Sequence, residues 1–401
     1  MNYEINTTCR FCDNNTIDVI TLGDSFPLAG GFMNNKSDFI NEKLYPLNLT
    51  FCNKCVLLQC KEVISSDILF KKYFYYSSMI PMLKKHFEEY ANKIECMYKN
   101  PSDIQIIEIG CNDGVLLKPL SEKGFKVIGV DPSNTVIECI NNFKIYNTYF
   151  NEELADKIIK ENGKCDIFIS SNSFAHINNM KSIMKGMKNI LKENGIAIIE
   201  VHYSKSIIDN LQFDFIYHEH MTYYNVTSFY RIAILFDMEL FDVEFTKIHG
   251  SSIRLYLRNS NTNKISDKIM NIMNDEKKLC DIELYKNFNN NLLNWKNEIT
   301  IILNKFKGKK IYGYGSSGRS NIIIRYLDLY LDEIIDDAES KIGSYTPVYH
   351  LKIKSSIEII NNPPDVIIIL AWAYKDDIIK KLNSIYKGPY IIPLPNIELT
   401  I

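Results

Sequence analysis

From about Asp103 the chain alternates short apolar runs with segments of helical spacing. The runs are "IQIIEIG", "KVIGVD", "CDIFISS" and "IAIIEVH", and the plainest helical stretch between them is "NNMKSIMKGMKNILKENG". Continuous apolar strands separated by helices predict a parallel sheet covered on both faces. "FDVEFTKI" and "SSIRLYLRN", joined by "HG", then read as a closing pair of strands. Upstream, "DILFKKYFYYSSMIPMLKKHFEEYANKI" begins aromatic and continues with helical spacing, which predicts an entry loop and a core-facing helix. Downstream, residues 264–306 are charged, asparagine-rich and helical in pattern, and read as a connector. A second alternating unit follows: "KKIYGYG", a helix, "LDEIIDD", "DVIIILAWAY", a helix and "PYIIPLP". Its sheet is expected to be short for a full dinucleotide fold. The expected division is 1–70, 71–263, a connector over 264–306, and 307–401.

Length agrees with several units, since 401 residues exceed what one hydrophobic core usually organises. Lysine and arginine number 46 against 48 acidic residues, a net charge of -2, so no nucleic-acid-binding surface is implied. The first residues lack the pattern of a signal peptide, and no apolar run reaches the roughly 18 residues of a membrane span. A cytoplasmic protein without a membrane partner is the expectation, and it makes the ten cysteines informative. Cys9-x-x-Cys12 and Cys52-x-x-Cys55 supply the four thiolates of a closed tetrahedral zinc site, with unmetallated or redox thiols as the alternative. Four thiolates leave no open position, so the zinc would be structural. The stretch between the pairs must fold back through "SFPLAGGF". Cys60, Cys96, Cys111, Cys139, Cys165 and Cys280 are expected to be ordinary buried thiols.

Two glycine loops compete for a cofactor. The later one carries Gly313, Gly315 and Gly318 in G-x-G-x-x-G order, with Asp336 and Asp337 near the place of a ribose-binding acid. The earlier one has Glu108, Gly110, Asn112, Asp113 and Gly114 after the first strand, and Asp131 closing the second. Its wider G-x-x-x-G turn suits the amino-acid part of S-adenosylmethionine better than a pyrophosphate on a helix N-terminus. "SSNSFAHINN" adds Asn172 and His176 at the carboxyl edge of the sheet, where ligands of open α/β folds bind. "FDFIYHEHMTYY" gathers Tyr217, His218, Glu219, His220, Tyr223 and Tyr224, without the histidine spacing of a zinc protease.

Nearly end to end, through "CRFC", "CNKCVLLQ", "YFYYSS", "EIGCNDGVLL", "SFAHI", "YHEHMTYY", "HGSSIR", "YGYGSSGRSN", "DDAESKIGSYTP" and "LAWAY", the sequence resembles the S-adenosylmethionine-dependent C-methyltransferases that act on nucleotide-linked deoxy keto sugars. The resemblance implies a zinc-binding module at 1–70, a class I methyltransferase-type doubly wound sheet at 71–263 and a Rossmann-like sugar-nucleotide-binding domain at 307–401. It implies His220 as a base, Glu219 as its orienting partner or a sugar hydroxyl ligand, Tyr217 as a donor near the substrate, and Tyr75 as an active-site tyrosine. Tyr76, His176, Tyr223, His249, Tyr314, Ser316, Ser317 and Arg319 fall to the substrate. The sequence departs from the family at Tyr76, where a histidine is expected, at Ser251 in place of the second glycine of H-G-G, and near Arg319, where a lysine is common. The implied reaction is methylation of a 4-keto-6-deoxy sugar, at C3, through an enolate. A sugar O-methyltransferase, an NAD-binding late loop and a zinc-stabilised sugar-nucleotide binding protein are the competing readings.

Overall fold

The apolar runs become, in a computed structural model describing residues 3–70, 76–138, 141–260 and 265–400, the middle of a seven-stranded sheet. Its order is Met238–Thr246, Ser252–Asn259, Leu191–His202, Cys165–Ser171, Gln105–Ile109, Lys126–Val130 and Lys144–Tyr146. The first two strands run antiparallel to their neighbours and the rest are parallel, as the closing pair predicts. In the preceding helix, Pro81–Glu95, the proline sits in the first turn and costs no hydrogen bond. Leu83, Phe87, Tyr90, Ala91 and Ile94 form its buried stripe against the sheet. One helix is shorter than its sequence pattern. Met180–Ile190 stops before the expected end, and the chain passes at Leu191 into the strand, with an irregularity in register before Ile196.

At the N-terminus, Ile17–Phe26, Tyr45–Cys52 and Leu57–Cys60 form an antiparallel sheet whose edge is completed by a distant two-residue strand, Thr222–Tyr223. The last unit has a six-stranded sheet, Ile353–Lys354, Glu333–Ile335, Ile311–Tyr314, Val366–Ile369, Tyr390–Ile392 and Glu398–Thr400, parallel except for its final strand. The strand number is therefore that of a full doubly wound sheet, contrary to the expectation. The brevity lies in the strands, none longer than four residues.

The connector is a structural strut. Its helix Ile282–Asn304 buries Tyr285, Phe288, Leu292, Trp295 and Ile299 in a core shared by the N-terminal sheet and the last unit. At roughly 1.5–3 kcal/mol for each large apolar side chain, such burial is enough to hold the units together. Asn289 donates to the Val19 carbonyl at 2.8 Å and the Trp295 indole to that of Pro393 at 2.8 Å, one contact to each side. Buried Glu276 caps the helix Val226–Leu235, accepting from the backbone N–H of Val226 and Thr227 at 2.8 and 2.7 Å. Among the described residues no helix is long and apolar enough to cross a membrane.

Candidate functional site

Cys9 and Cys12 sit in one turn, and Cys52 and Cys55 in the tight turn between two strands of the N-terminal sheet. The four Sγ atoms lie within 4.8 Å of one another. Crowded together without a cation, the thiols cannot all ionise. Hydrogen bonds from Cys55 and Cys9 pull Cys52 down to about 2, while the bond to Cys52 pushes Cys9 up to about 12. A divalent zinc ion bound at this point would take all four sulfurs as thiolates. Of the remaining cysteines, Cys60, Cys111 and Cys165 are buried as expected, but Cys96 and Cys280 are exposed. Both stand at the ends of helical segments, Cys96 capping Pro81–Glu95 and Cys280 closing Lys277–Cys280. Cys139 lies outside the described residues.

The carboxyl edge of the central sheet gathers the residues of the early glycine loop. Gly110 has φ +69°, and a Cβ there would fall 2.3 Å from Ser173 Cβ, so only glycine fits this turn. Asp131 braces the loop by accepting from Asn112 N–H at 2.9 Å and Ser133 N–H at 2.8 Å. Burial, with Asp131 and Asp113 nearby, pushes Glu108 well above the usual carboxylate range. Glu108 Oε2, Asp113 Oδ1, Ser171 Oγ and Asn172 Oδ1 are buried oxygens without a hydrogen-bond partner among the described residues. Such a set of unmet acceptors fits a ligand carrying ammonium, sulfonium and ribose hydroxyl groups. Ser77 and Ser78 donate backbone N–H to Asn112 and Asp113 at 3.1 Å each, so the chain beside half-buried Tyr76 lies against the loop. Tyr75 lies outside the described residues, as does the side chain of His249.

A buried ion-pair network underlies this edge, and the sequence reading did not single it out. Glu200 takes Arg254 at 2.6 Å and His86 at 2.9 Å, while the Arg254 guanidinium lies 3.5 Å from the Tyr90 ring centroid. Burial alone would raise Glu200, but the His86 hydrogen bond and the Arg254 charge outweigh it and hold the carboxyl below its ordinary value.

Successive residues of "YHEH" face different parts of the molecule. His218 Nε2 donates to the Pro46 carbonyl at 2.9 Å, and burial presses this imidazole down to about 4. Glu219 accepts from Gly30 N–H at 3.1 Å, and burial pushes its carboxyl up to about 7. His220 Nδ1 meets the Phe215 carbonyl at 2.9 Å. A carbonyl can only accept, so Nδ1 carries a proton, and in the neutral ring Nε2 is the acceptor. Tyr217 hydroxyl donates to it at 2.8 Å. The orienting partner of His220 is thus the Phe215 carbonyl. Glu219 does not fill the orienting role expected of it, because the turn at Tyr217–His220 sends its side chain to the N-terminal module.

Two further imidazoles flank His220: the His176 ring centroid at 5.0 Å and that of His202 at 4.9 Å. Burial depresses His176 to about 4. His202 escaped the sequence reading, although it ends a predicted strand at the ligand-binding edge. Tyr223 is part of the core, its hydroxyl 3.4 Å from the Phe215 carbonyl, so it supports the site from below rather than opening onto a substrate.

The late glycine loop is occupied by the protein itself. Asp336 accepts from Ser316 N–H at 2.8 Å, Ala338 N–H at 2.9 Å and Lys341 at 3.2 Å, which uses the carboxylate a ribose would need. A Cβ on Gly318 would fall 2.9 Å from Ala29, so the N-terminal module packs onto the helix start where a pyrophosphate would rest. The expected substrate contacts are likewise engaged elsewhere. Tyr314 hydroxyl donates to Asp337, and Ser317 Oγ caps its own helix by accepting from Ser320 N–H at 3.2 Å. Arg319 pairs with Asp214 at 2.7 Å. Ser316 is wholly buried, its Oγ without a partner among the described residues.

A seven-stranded sheet with this order, an acceptor-lined cleft at its carboxyl edge and a four-thiolate module define an S-adenosylmethionine-dependent methyltransferase with structural zinc. Family models match in series: a zinc binding domain over 9–70, a methyltransferase domain over 82–241 and a C-methyltransferase C-terminal domain over 247–395. The chain is 25% identical to the C-methyltransferase NovU of Streptomyces niveus, over 96% of this chain and 95% of that one. A ubiquinone biosynthesis O-methyltransferase of Rickettsia canadensis is 29% identical over 28% of this chain and 48% of its own. Among solved structures, magnesium protoporphyrin IX methyltransferase (ChlM) from Synechocystis PCC 6803 with bound SAH is similar at a TM-score of 0.35 and 15% identity, covering 44% of this chain and 83% of that one.

Proposed function

We propose that the protein methylates a carbon, C3, of a nucleotide-linked 4-keto-6-deoxy sugar through an enolate, in the biosynthesis of a branched sugar. One observation carries the reading: an imidazole, His220, oriented by the Phe215 carbonyl at Nδ1 and hydrogen-bonded to the Tyr217 phenol at Nε2, in a chain that aligns over 96% of its length with a C-methyltransferase. S-adenosylmethionine, when bound, supplies an electrophilic methyl group. Glu108, Gly110, Asn112, Asp113, Gly114, Asp131 and Asn172 would hold it.

Carbon becomes nucleophilic when a proton beside the carbonyl is removed. His220 Nε2 takes that proton, and the electron pair of the broken C–H bond moves onto the carbonyl oxygen. Tyr217, relieved of its hydrogen bond to Nε2, donates to the enolate oxygen. Glu219, half protonated near neutrality, takes a sugar hydroxyl, with His176 beside it. The enolate carbon so formed is the nucleophile for the methyl group that the cofactor would supply, the carbon–sulfur bond breaking and its electron pair staying on sulfur. The two C-x-x-C pairs need reducing conditions, which supports a cytoplasmic enzyme.

The test is proton NMR in deuterated buffer with S-adenosylmethionine and a panel of nucleotide-linked keto sugars. A carbon-bound methyl signal with loss of an alpha proton, both absent in His220→Asn, is expected. An O-methyl signal without exchange would move the reading to a sugar O-methyltransferase, and binding without turnover to a sugar-nucleotide binding protein.

A further inference from the structure

Arg319 belongs to the last unit, 105 residues from Asp214 in the segment that carries His220. Asp214 is wholly buried, and a single oxygen, Oδ2, accepts from Arg319 Nε at 2.8 Å and from the Trp372 indole N–H at 2.8 Å, with Arg319 Nη2 in ion-pair range at 2.7 Å. The guanidinium lies 3.7 Å from the centroid of Phe215 and 4.8 Å from that of Trp372. Phe215 is the residue whose carbonyl holds the proton of His220 Nδ1 in place, and its ring also packs on His202 at 4.8 Å. A fully desolvated carboxylate held by one charge-assisted donor, one indole donor and an ion pair is a stiff joint, because loosening it leaves a buried charge exposed to nothing.

We propose that Asp214, Arg319 and Trp372 form a clamp through which the last unit positions the base: Arg319 is a positioning residue for His220, not a phosphate ligand. The inference rests on His220 as the base, and it gives the late "GRS" segment a role that its resemblance to a phosphate loop conceals. The path has two links. The clamp fixes Asp214 and the stacked Phe215 ring, and the Phe215 carbonyl fixes the tautomer and the direction of Nε2. The relation holds without substrate present, so it has a signature apart from turnover.

Three variants test it: Arg319→Lys keeps the charge but loses the fork and the stacking, Trp372→Phe removes one donor, and Asp214→Asn removes the charge. Each is checked first for bound zinc and S-adenosylmethionine affinity, which a folded variant retains. With the keto-sugar nucleotide that gives the methyl signal above, Arg319→Lys should lower kcat about 100-fold, the loss expected when a reacting group is misplaced by about 1 Å, and leave KM for the sugar nucleotide within about two-fold. Trp372→Phe should fall between it and the wild type, and the Asp214→Asn/Arg319→Lys double variant should lose no more than the worse single one. In histidine-labelled protein the Nδ1–H resonance that vanishes in His220→Asn should shift and exchange faster with water in Arg319→Lys. A raised KM with unchanged kcat would make Arg319 a substrate ligand and overturn the proposal. So would an unmoved His220 resonance in a folded variant. Full activity in His220→Asn would overturn the base reading instead, and the resonance alone would then decide whether the clamp acts on that ring.

Discussion

Replacing Glu219 by glutamine should make the protein more stable at alkaline pH while leaving it unchanged at acid pH. The carboxyl is buried, and the Gly30 N–H at 3.1 Å is its hydrogen bond. Its rise from 4.5 to about 7 means that the folded protein keeps a proton which the unfolded chain has released across that window. Stability therefore falls as pH rises from 4.5 to 7, by about 1.4 kcal/mol per pH unit, or about 3 kcal/mol in all. Glutamine cannot ionise and mimics the protonated acid. Buried His176 and His218, both pressed to about 4, pull the other way below their ordinary 6.5. Their contribution is common to both proteins and cancels in the difference. Because one core runs through the N-terminal sheet, the strut and the last unit, urea unfolding should report these units together. The assay is urea unfolding of the wild type and Glu219→Gln at pH 5, 6, 7 and 8. The gap between them should open by about 2.5 kcal/mol in favour of the variant between the first and last points, since the titration is already under way at pH 5. A gap that stays constant from pH 5 to 8 would refute the reasoning, since it would mean the carboxylate is solvated or paired in solution.

Purified protein should contain one zinc per chain by elemental analysis, and Cys52→Ser or prolonged chelation should collapse the N-terminal sheet and, through Thr222–Tyr223, abolish activity as well. Structural zinc contributes on the order of 10 kcal/mol to small modules, so a metal-free protein with an unchanged melting curve would contradict the assignment. Gly110→Ala combines a Cβ 2.3 Å from Ser173 with a left-handed backbone at φ +69°. It should weaken S-adenosylmethionine at least about ten-fold in calorimetric titration, the equivalent of about 1.4 kcal/mol, with the melting temperature moved by only a few degrees. Wild-type affinity would mean that the loop relaxes freely.

The sequence revealed whatever has local periodicity or short spacing. Apolar runs such as "IQIIEIG" marked the central strands because both faces are buried, and the paired C-x-x-C motifs marked the thiolate cluster because each pair occupies one turn. What it concealed depends on long-range pairing. Arg319 followed a glycine loop and so read as a phosphate donor, yet its partner Asp214 is an unremarkable acid in "FDF". Glu200 lies within an apolar strand whose pattern says nothing of Arg254 across the antiparallel pair or of His86 in a distant helix. The family resemblance made Glu219 the orienting partner of His220 or a sugar hydroxyl ligand, but a turn sends the Glu219 side chain away from the imidazole to Gly30. Thr222–Tyr223, two residues long, carries no strand signal at all.

That short strand has a consequence for the history of each molecule as it leaves the ribosome. The base-bearing segment is stitched to the zinc module on one side and, through Asp214, to a helix more than a hundred residues further on. On the proposed reading, the early glycine loop is in place before the last unit exists to hold His220, so a partly made chain holds its methyl donor without the means to spend it on a stray acceptor. Reactivity would be the last property to appear.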